Sequence, residues 1–473
     1  MLASRSRNFS LYARKMICSG GMARRCGPEF GIERPMTTIA NSAMPSLTGL
    51  PAVAPHSSPA TRENRISDAG ADLALLICVL FLGRFTLTFG HSLMELNIVP
   101  IVVIFIHQFI SGRLLILHDR LLWFMAAAVV VTCSLLLNFA STMLPSYCLF
   151  IVMYMLFTLN RPSTAGRYEK TLRTFQFLMA ILSILAIAQF MAQFVVDGRK
   201  LVEFYGILPE VLFTERFHTI IPIVPGSPLI KSNGIFLSEP SGLSQLAALA
   251  ILIEVLEFRR PGHLLLFAIG LLLSYSGTGL LLFFGFVPLA AIRYKQARLP
   301  VLLAIAVVVG LVVTGAIDLT AFTSRIAEFN DTQASGFERF VSPFWLADEF
   351  FATAPLRVLL LGSGPGTMDA FARAHWYGGF AGTWIKLIYE YGLIGAFIFI
   401  CFLVSCLRKS RCPGLLLAAI LFAYVFLGGL LLDVSAVAMI VVFCTLNGPG
   451  SWLDCIKTAD QYRPSFAIGS RTG

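Results

Sequence analysis

Charge is scarce in this chain: Asp, Glu, Lys and Arg make up 13% of it against 57% apolar residues, and the mean hydropathy is +0.78. So few charged side chains cannot cover a water-facing surface, which excludes a soluble globular protein and makes lipid the solvent to reason from. No Lys/Arg face with interleaved aromatics occurs, so the net charge of +10 does not read as nucleic-acid binding. No Cys-x-x-Cys pair exists among the 10 cysteines, and Cys78, Cys133, Cys148, Cys401, Cys406 and Cys444 fall in or beside apolar runs. Neither a zinc site nor a disulfide framework follows from that distribution. Also missing are a His-Glu-x-x-His motif, a Ser-His-Asp order and the Gly-Lys-Ser/Thr ending of a phosphate loop. The sequence therefore points to a site without metal or other cofactor. Residues 1–70 lack an apolar stretch of signal-peptide length. They mix Ser, Pro, Gly and Arg, with nine Lys/Arg against four Asp/Glu, and read as a disordered basic cytoplasmic tail.

What is present is a series of apolar runs. A bilayer core about 30 Å thick takes roughly 20 apolar residues per helix. Candidate spans recur at 71–89, 97–112, 121–139, 144–159, 174–195, 241–257, 263–277, 279–292, 299–316, 384–406, 413–431 and 434–447. The fold class is therefore all-α, a polytopic integral membrane protein with about 12 transmembrane helices over 71–447. Lys and Arg gather in alternate short loops: Arg113 and Arg120; Arg161, Arg167, Lys170 and Arg173; Arg259 and Arg260; Arg293, Lys295 and Arg298; Arg408, Lys409 and Arg411. The positive-inside rule puts these loops, the 1–70 tail and the 448–473 tail in the cytoplasm. The opposite face receives two longer segments, 196–240 and 317–383.

Chemistry is expected in those two segments, where mixed charge is concentrated. The first carries Arg216, His218, Lys231 and Glu239; the second carries Arg325, Glu338, Arg339, Asp369, Arg373 and His375. Phe344, Trp345, Phe351 and Trp376 interleave with the charges of the second, a pattern of helices lying along a membrane interface, and aromatic faces also suit the stacking of sugar rings. Ser238-Glu239-Pro240-Ser241 opens the sixth span. Glu239 has two readings there: helix capping and dipole compensation, or a general base and hydroxyl anchor at the outer interface. Gly362-Ser363-Gly364-Pro365-Gly366 reads either as a tight turn or as backbone N–H groups open to an anion through Gly364 and Gly366. Ser276-Gly277-Thr278-Gly279 joins two helices and reads as close backbone packing.

Taken in order, Lys231 to Ser241, Leu273-Ser274-Tyr275-Ser276-Gly277-Thr278-Gly279, Arg339, Gly362 to Gly366, and Trp384 followed by Glu390-Tyr391-Gly392-Leu393-Ile394-Gly395 resemble the O-antigen ligase/polymerase superfamily. The likeness is in particular to Wzy-type exopolysaccharide repeat-unit polymerases. It spans roughly 70 to 450, with the motifs confined to 231–395. It implies a GT-C-like all-helical fold with a long, partly helical periplasmic loop, set in a bacterial inner membrane. It further implies a glycosyltransferase that joins undecaprenyl-diphosphate-linked glycans on the periplasmic face, without nucleotide sugar or catalytic metal. Membrane lipid, a chain-length regulator and a flippase would be its other partners. Such a site needs cations for the diphosphate, a base for the attacking hydroxyl and an amphiphilic groove for a polyprenyl tail. Family members use periplasmic arginines, a role the resemblance carries to Arg339 first, then to Arg325, Arg216 and Lys231. The base falls to Glu239, with His375 in reserve. Ligase-like members often show a His-Asn pair where this chain has Gly382-Thr383-Trp384, and Lys231 stands where the polymerases commonly have Arg.

Two rival functions stay open at this stage. An O-antigen ligase-type transferase would differ in its acceptor. A lipid-linked oligosaccharide flippase or transporter fits a dozen helices, and Arg84, near the middle of the first expected span, supports it. Against it, the two halves show no internal repeat, and Glu254, Lys386 and Glu390 lie near span ends.

Overall fold

The computed structural model describes residues 60–89, 92–161, 165–198, 220–224, 226–295, 298–313, 334–377 and 381–448. Each of the twelve apolar runs contains a helix. In chain order these are α1 (Ala60–Phe81), α2 (Ile98–Ile110), α3 (His118–Leu137), α4 (Leu144–Met155), α5 (Ala165–Ala192), α6 (Pro240–Ile253), α7 (Pro261–Leu273), α8 (Gly277–Arg293) and α9 (Arg298–Val313). The second outer segment then folds into four short helices, α10 (Ser335–Phe340), α11 (Ser342–Thr353), α12 (Leu356–Leu361) and α13 (Met368–Arg373), before α14 (Thr383–Leu407), α15 (Gly414–Phe426) and α16 (Val434–Ile440). Among the described residues, four helices are long and apolar enough to cross a membrane: α3, α5, α6 with the π-helical turn that extends it to Phe258, and α14. The other apolar helices are shorter.

In lipid, apolar surface alone does not hold helices together, so small residues and hydrogen bonds must. The α6–α8 contact shows both. A Cβ added at Gly279 would fall 2.4 Å from the backbone of Ser244, and the Gly279 N–H donates to Ser244 Oγ at 3.2 Å. The Ser276–Gly279 motif is thus packing, as expected. Around α4 and α14 the glue is aromatic, with Tyr154 edge-on to Phe399 at 4.8 Å between centroids.

Hydrogen bonds, ion pairs and cation–π contacts gather the basic loops at one end of the bundle. Arg161 pairs with Asp72 of α1, and the guanidinium of Arg120 donates to the carbonyls of Phe157, Leu159 and Thr445. Lys409 reaches Asp119 at 3.1 Å, and Arg173 and Arg260 both lie over the ring of Phe258. A two-residue ladder between β3 (Leu115–Ile116) and β4 (Leu159–Asn160) ties two of these loops together. At the far ends of α1, α3, α5 and α14 lies everything that forms the candidate site.

One boundary differs from its expectation in a way that matters. The first span was expected at 71–89, but α1 stops at Phe81, and the chain forms a hairpin of β1 (Thr86–Phe89) on β2 (Ser92–Glu95), closed by Leu96 N–H to the Phe85 carbonyl at 2.8 Å. Gly83 and the alternating Thr86-Leu87-Thr88-Phe89 favour a turn and a strand over helix. Arg84 is therefore not a mid-span charge but stands at the mouth of α1, which removes the observation that supported a transporter. Of the expected basic tail, residues 1–59 lie outside the described residues, and 60–70 belong to α1.

Candidate active site

The segment before α6 is threaded between helices and held by the end of α5. Gln193 bonds Ile230 in both directions, N–H to Oε1 at 2.8 Å and Nε2 to carbonyl at 3.1 Å. Gln189 accepts from the N–H groups of Asn233 and Gly234 and donates to Asn233 Oδ1. Lys231, Ser232 and Asn233 are buried. Beyond them Ile235 has φ +68°, a left-handed conformation that costs a β-branched residue on the order of 1–3 kcal/mol. Its carbonyl accepts from Arg84 Nη1 at 2.6 Å and its N–H donates to Asn233 Oδ1 at 3.1 Å, so the strained peptide is fixed from both sides.

This cradle delivers Glu239 to the first position before α6, with Pro240 opening the helix. Its carboxylate does not cap the helix. Instead it accepts from Ser241 Oγ at 2.6 Å and from Arg339 Nη2 at 2.8 Å, while Arg339 also approaches Ser241 Oγ at 3.5 Å. Arg339 comes from the last turn of α10, in the other outer segment, and both partners are largely shielded, with side chains 14% and 26% exposed. A side-chain capping bond is thus absent, and the Glu239 carboxylate faces another chain segment instead. Charge-assisted bonds of this kind are the strong ones.

Two further carboxylates, which sequence reasoning did not single out, converge on the same place. Asp433 caps α16, its Oδ1 accepting from Ala436 N–H at 2.7 Å, and Glu95 ends the hairpin. Burial raises the Asp433 carboxyl above the ordinary range against the Ala436 bond, and the charge of Glu239 raises it further. Glu95 is pushed well above that range, first by burial and then by Asp433. A cavity of about 160 Å³ lies between them, its polar wall formed by Arg84, Glu95, Ser238, Gln245, Asp433 and Ser435. A signal for both residues existed: Asp433 is the single charged residue between Arg411 and Asp454, and Glu95 the single acid between Asp72 and Asp119.

The other expected site residues are placed differently. His375 lies in the folded outer lobe, its ring against Phe371 and Tyr377 and its Nδ1 2.9 Å from the Phe371 carbonyl. Arg216 and Arg325 lie outside the described residues. The amides of Gly362, Ser363 and Gly364 are committed within the protein. α14 breaks at Gly392 (φ +69°), and two carbonyls at the break accept from that run, Tyr389 from Ser363 N–H at 2.8 Å and Glu390 from Gly364 N–H at 3.0 Å. A Cβ at Gly362 would fall 2.2 Å from the Glu390 oxygen, and one at Gly392 2.3 Å from the Leu360 oxygen. The two glycine motifs are therefore two sides of one backbone splice that docks the lobe on α14. The N–H of Met368, just after the run, reaches the Glu390 carboxylate at 3.4 Å. Expected as part of an anion cradle, Gly364 instead satisfies the broken helix, while Gly366 packs closely against Met143 and Ser146.

With the geometry laid out, comparison with known proteins adds one result. The model of a family described as WcaD colanic acid polymerase matches residues 73–447. No curated protein shows a match to the chain.

Proposed function

Because the chain belongs to the WcaD colanic acid polymerase family, we propose that the Arg339–Glu239 pair is the centre at which this membrane protein joins repeat units. The polypeptide is a repeat-unit polysaccharide polymerase of the Wzy type, and the ligase and flippase readings are not favoured. Its donor is a glycan on undecaprenyl diphosphate, and the reaction needs neither nucleotide sugar nor metal. The basic end of the bundle faces the cytoplasm, all twelve helical runs cross the inner membrane, both tails are cytoplasmic, and the site opens to the periplasm.

The chemistry fits what the two side chains supply. The hydroxyl oxygen of the acceptor sugar attacks the anomeric carbon of the donor. The bond from that carbon to the diphosphate oxygen breaks and its electron pair leaves with the diphosphate. The hydroxyl proton passes to Glu239, the carboxylate in contact with Arg339. Arg339 then stabilises charge developing on the leaving group, with Lys231, Arg216 and Arg325 as further cations. The observation that carries this reading is the 2.8 Å contact itself, which sets a base and a phosphate-seeking cation side by side from two outer segments.

The test is the lipid-linked glycan profile of cells lacking the gene, complemented with wild type or Arg339→Ala. Single repeat units should accumulate without the protein, and long polymer should return with wild type but not with the variant. Polymer of normal length on the carrier would point to a ligase instead, and precursor trapped on the cytoplasmic leaflet to a flippase.

A further inference from the structure

The cavity beside the Arg339–Glu239 pair has walls of two kinds. Arg84, Glu95, Ser238, Gln245, Asp433 and Ser435 bring charged, amide and hydroxyl groups from four separate stretches of chain, whereas Leu246, Leu249, Ile420 and Met439 are apolar. An apolar cavity stays dry or takes a hydrocarbon. One with convergent polar groups on an apolar floor suits a ligand whose hydrogen-bonding groups surround a compact frame. Its volume, about 160 Å³, slightly exceeds the roughly 150 Å³ that accommodates the six-membered ring of benzene in an engineered lysozyme cavity. A single sugar ring is therefore of the right size.

Charge decides which part of the substrates enters. Arg84, the cation of the wall, donates to the Ile235 carbonyl, and Glu239 next to Ser238 repels a diphosphate, while Arg339, which is not part of the wall, attracts one. A polyprenyl tail would leave the buried guanidinium of Arg84 and two carboxyl groups facing hydrocarbon, at a high desolvation cost. The ring that must lie against a carboxylate is the one whose proton the base removes. We propose that this cavity is the acceptor subsite, holding the sugar ring that carries the attacking hydroxyl and turning that hydroxyl toward Glu239, with Glu95 and Asp433 bonded to the ring's other hydroxyls. The inference rests on the polymerase reading above. A carboxyl that keeps its proton can donate to a sugar oxygen as well as accept from a hydroxyl, so the raised pKa values of the pair suit the role.

Gly242 makes the cavity testable. It lies on the wall, in α6, and a Cβ built there meets no atom within 4 Å. Gly242→Leu thus fills the hole without removing a polar group, Gly242→Ala serves as its mild control, and Glu95→Gln changes the wall without adding volume. Full-length protein in lipid nanodiscs is unfolded thermally with two probes. One is undecaprenyl diphosphate; the other is the oligosaccharide released by mild acid from lipid-linked repeat units of cells lacking the protein. Both probes should raise the Tm of wild type and of Gly242→Ala. Gly242→Leu and Glu95→Gln should bind the oligosaccharide at least about tenfold more weakly, a difference of about 1.4 kcal/mol, and keep the response to undecaprenyl diphosphate. The proposal is overturned if the oligosaccharide stabilises Gly242→Leu as it does wild type, or has no effect on wild type. Selective loss of the undecaprenyl diphosphate response would overturn it too, by making the cavity a carrier pocket. Failure of the polymerase reading has a separate signature, the absence of single repeat units in the deletion strain.

Discussion

Arg339 donates to Glu239 Oε2 at 2.8 Å across 100 residues of sequence, so one contact both docks the α10 turn against α6 and sets a cation against a carboxylate. Substitutions separate the two effects. Glu239→Gln keeps an oxygen for Arg339 but is no base, and should fold like wild type while losing about 10²- to 10⁴-fold in transfer rate. Arg339→Ala should lose about 10²- to 10³-fold, the usual cost of removing one donor to a developing anion. Arg339→Lys should fall between, because an ammonium cannot bridge Glu239 and Ser241 as a planar fork does. Initial rates with purified lipid-linked repeat units are the measurement, and a Glu239→Gln protein as fast as wild type would sink the assignment of the base.

The acidic pair at the cavity predicts an unusual stability profile. Glu95 and Asp433 hold their protons to higher pH in the fold than in the unfolded chain, with burial the leading cause for both. Above the ordinary carboxyl range near pH 4 the native state therefore binds more protons than the unfolded state, and stability falls as pH rises through the raised values. Wild-type Tm should decline from acid toward neutral pH. Glu95→Gln should flatten that decline, since the amide does not titrate. Tryptophan fluorescence melts across the pH range read this directly, and parallel curves for the two proteins would contradict it.

Much of the helical fold was legible because lipid imposes a length and a composition on a span: each of the twelve apolar runs contains a helix, and among the described residues four helices are long and apolar enough to cross a membrane. The basic loops alternate in the sequence, and the structure gives Arg120, Arg161, Arg173 and Lys409 contacts at one end of the bundle. The first span shows where counting fails. Apolar character continues through Leu82, Phe85 and Phe89, and only Gly83 and the Thr alternation mark that the helix has ended. The contact between Glu239 and Arg339 could not be read from spacing, since nothing local relates residues 100 apart; family resemblance placed both among the candidates. Glu95 and Asp433 stand out in the sequence only as isolated charges: a single carboxylate in apolar surroundings has no periodicity, and its meaning depends on which other segment folds beside it. The glycine run leaves a tight turn and an anion cradle both open because its N–H groups are local, whereas the carbonyls that use them lie at the break in α14, more than 20 residues on.

That splice carries its own prediction. Gly362 and Gly392 combine positive φ with a neighbouring carbonyl closer than any Cβ can stand, 2.2 and 2.3 Å. Alanine at either position must move one backbone away from the other, and each substitution should cost clearly more than the roughly 1 kcal/mol that a strained glycine site alone implies. Gly414→Ala, where no atom lies within 4 Å, should be near neutral. Melting temperatures of the three variants give the comparison, and a Gly392→Ala protein as stable as Gly414→Ala would show that the crossing relaxes freely.

At the basic end, the Arg161–Asp72 pair separates burial from charge as a source of stability. The two side chains are 1% and 4% exposed, and the second carboxylate oxygen of Asp72 accepts from Thr171 Oγ1 at 2.8 Å. Asp72→Asn would leave a buried guanidinium without a counter-charge, which typically costs about 3–5 kcal/mol. Removing the cation as well, with Arg161→Met in the Asp72→Asn background, should recover part of that loss, because the penalty belongs to the unpaired charge and not to the missing contact. The Arg173–Glu169 pair, one helical turn apart and 64% and 48% exposed, is the reference: its loss should cost only about 0.3–0.5 kcal/mol. Since both pairs lie at the end of the bundle away from Glu239, transfer rate per folded molecule should stay at the wild-type level in every one of these variants. A rate that fell in step with Tm would mean that the two ends move together during turnover.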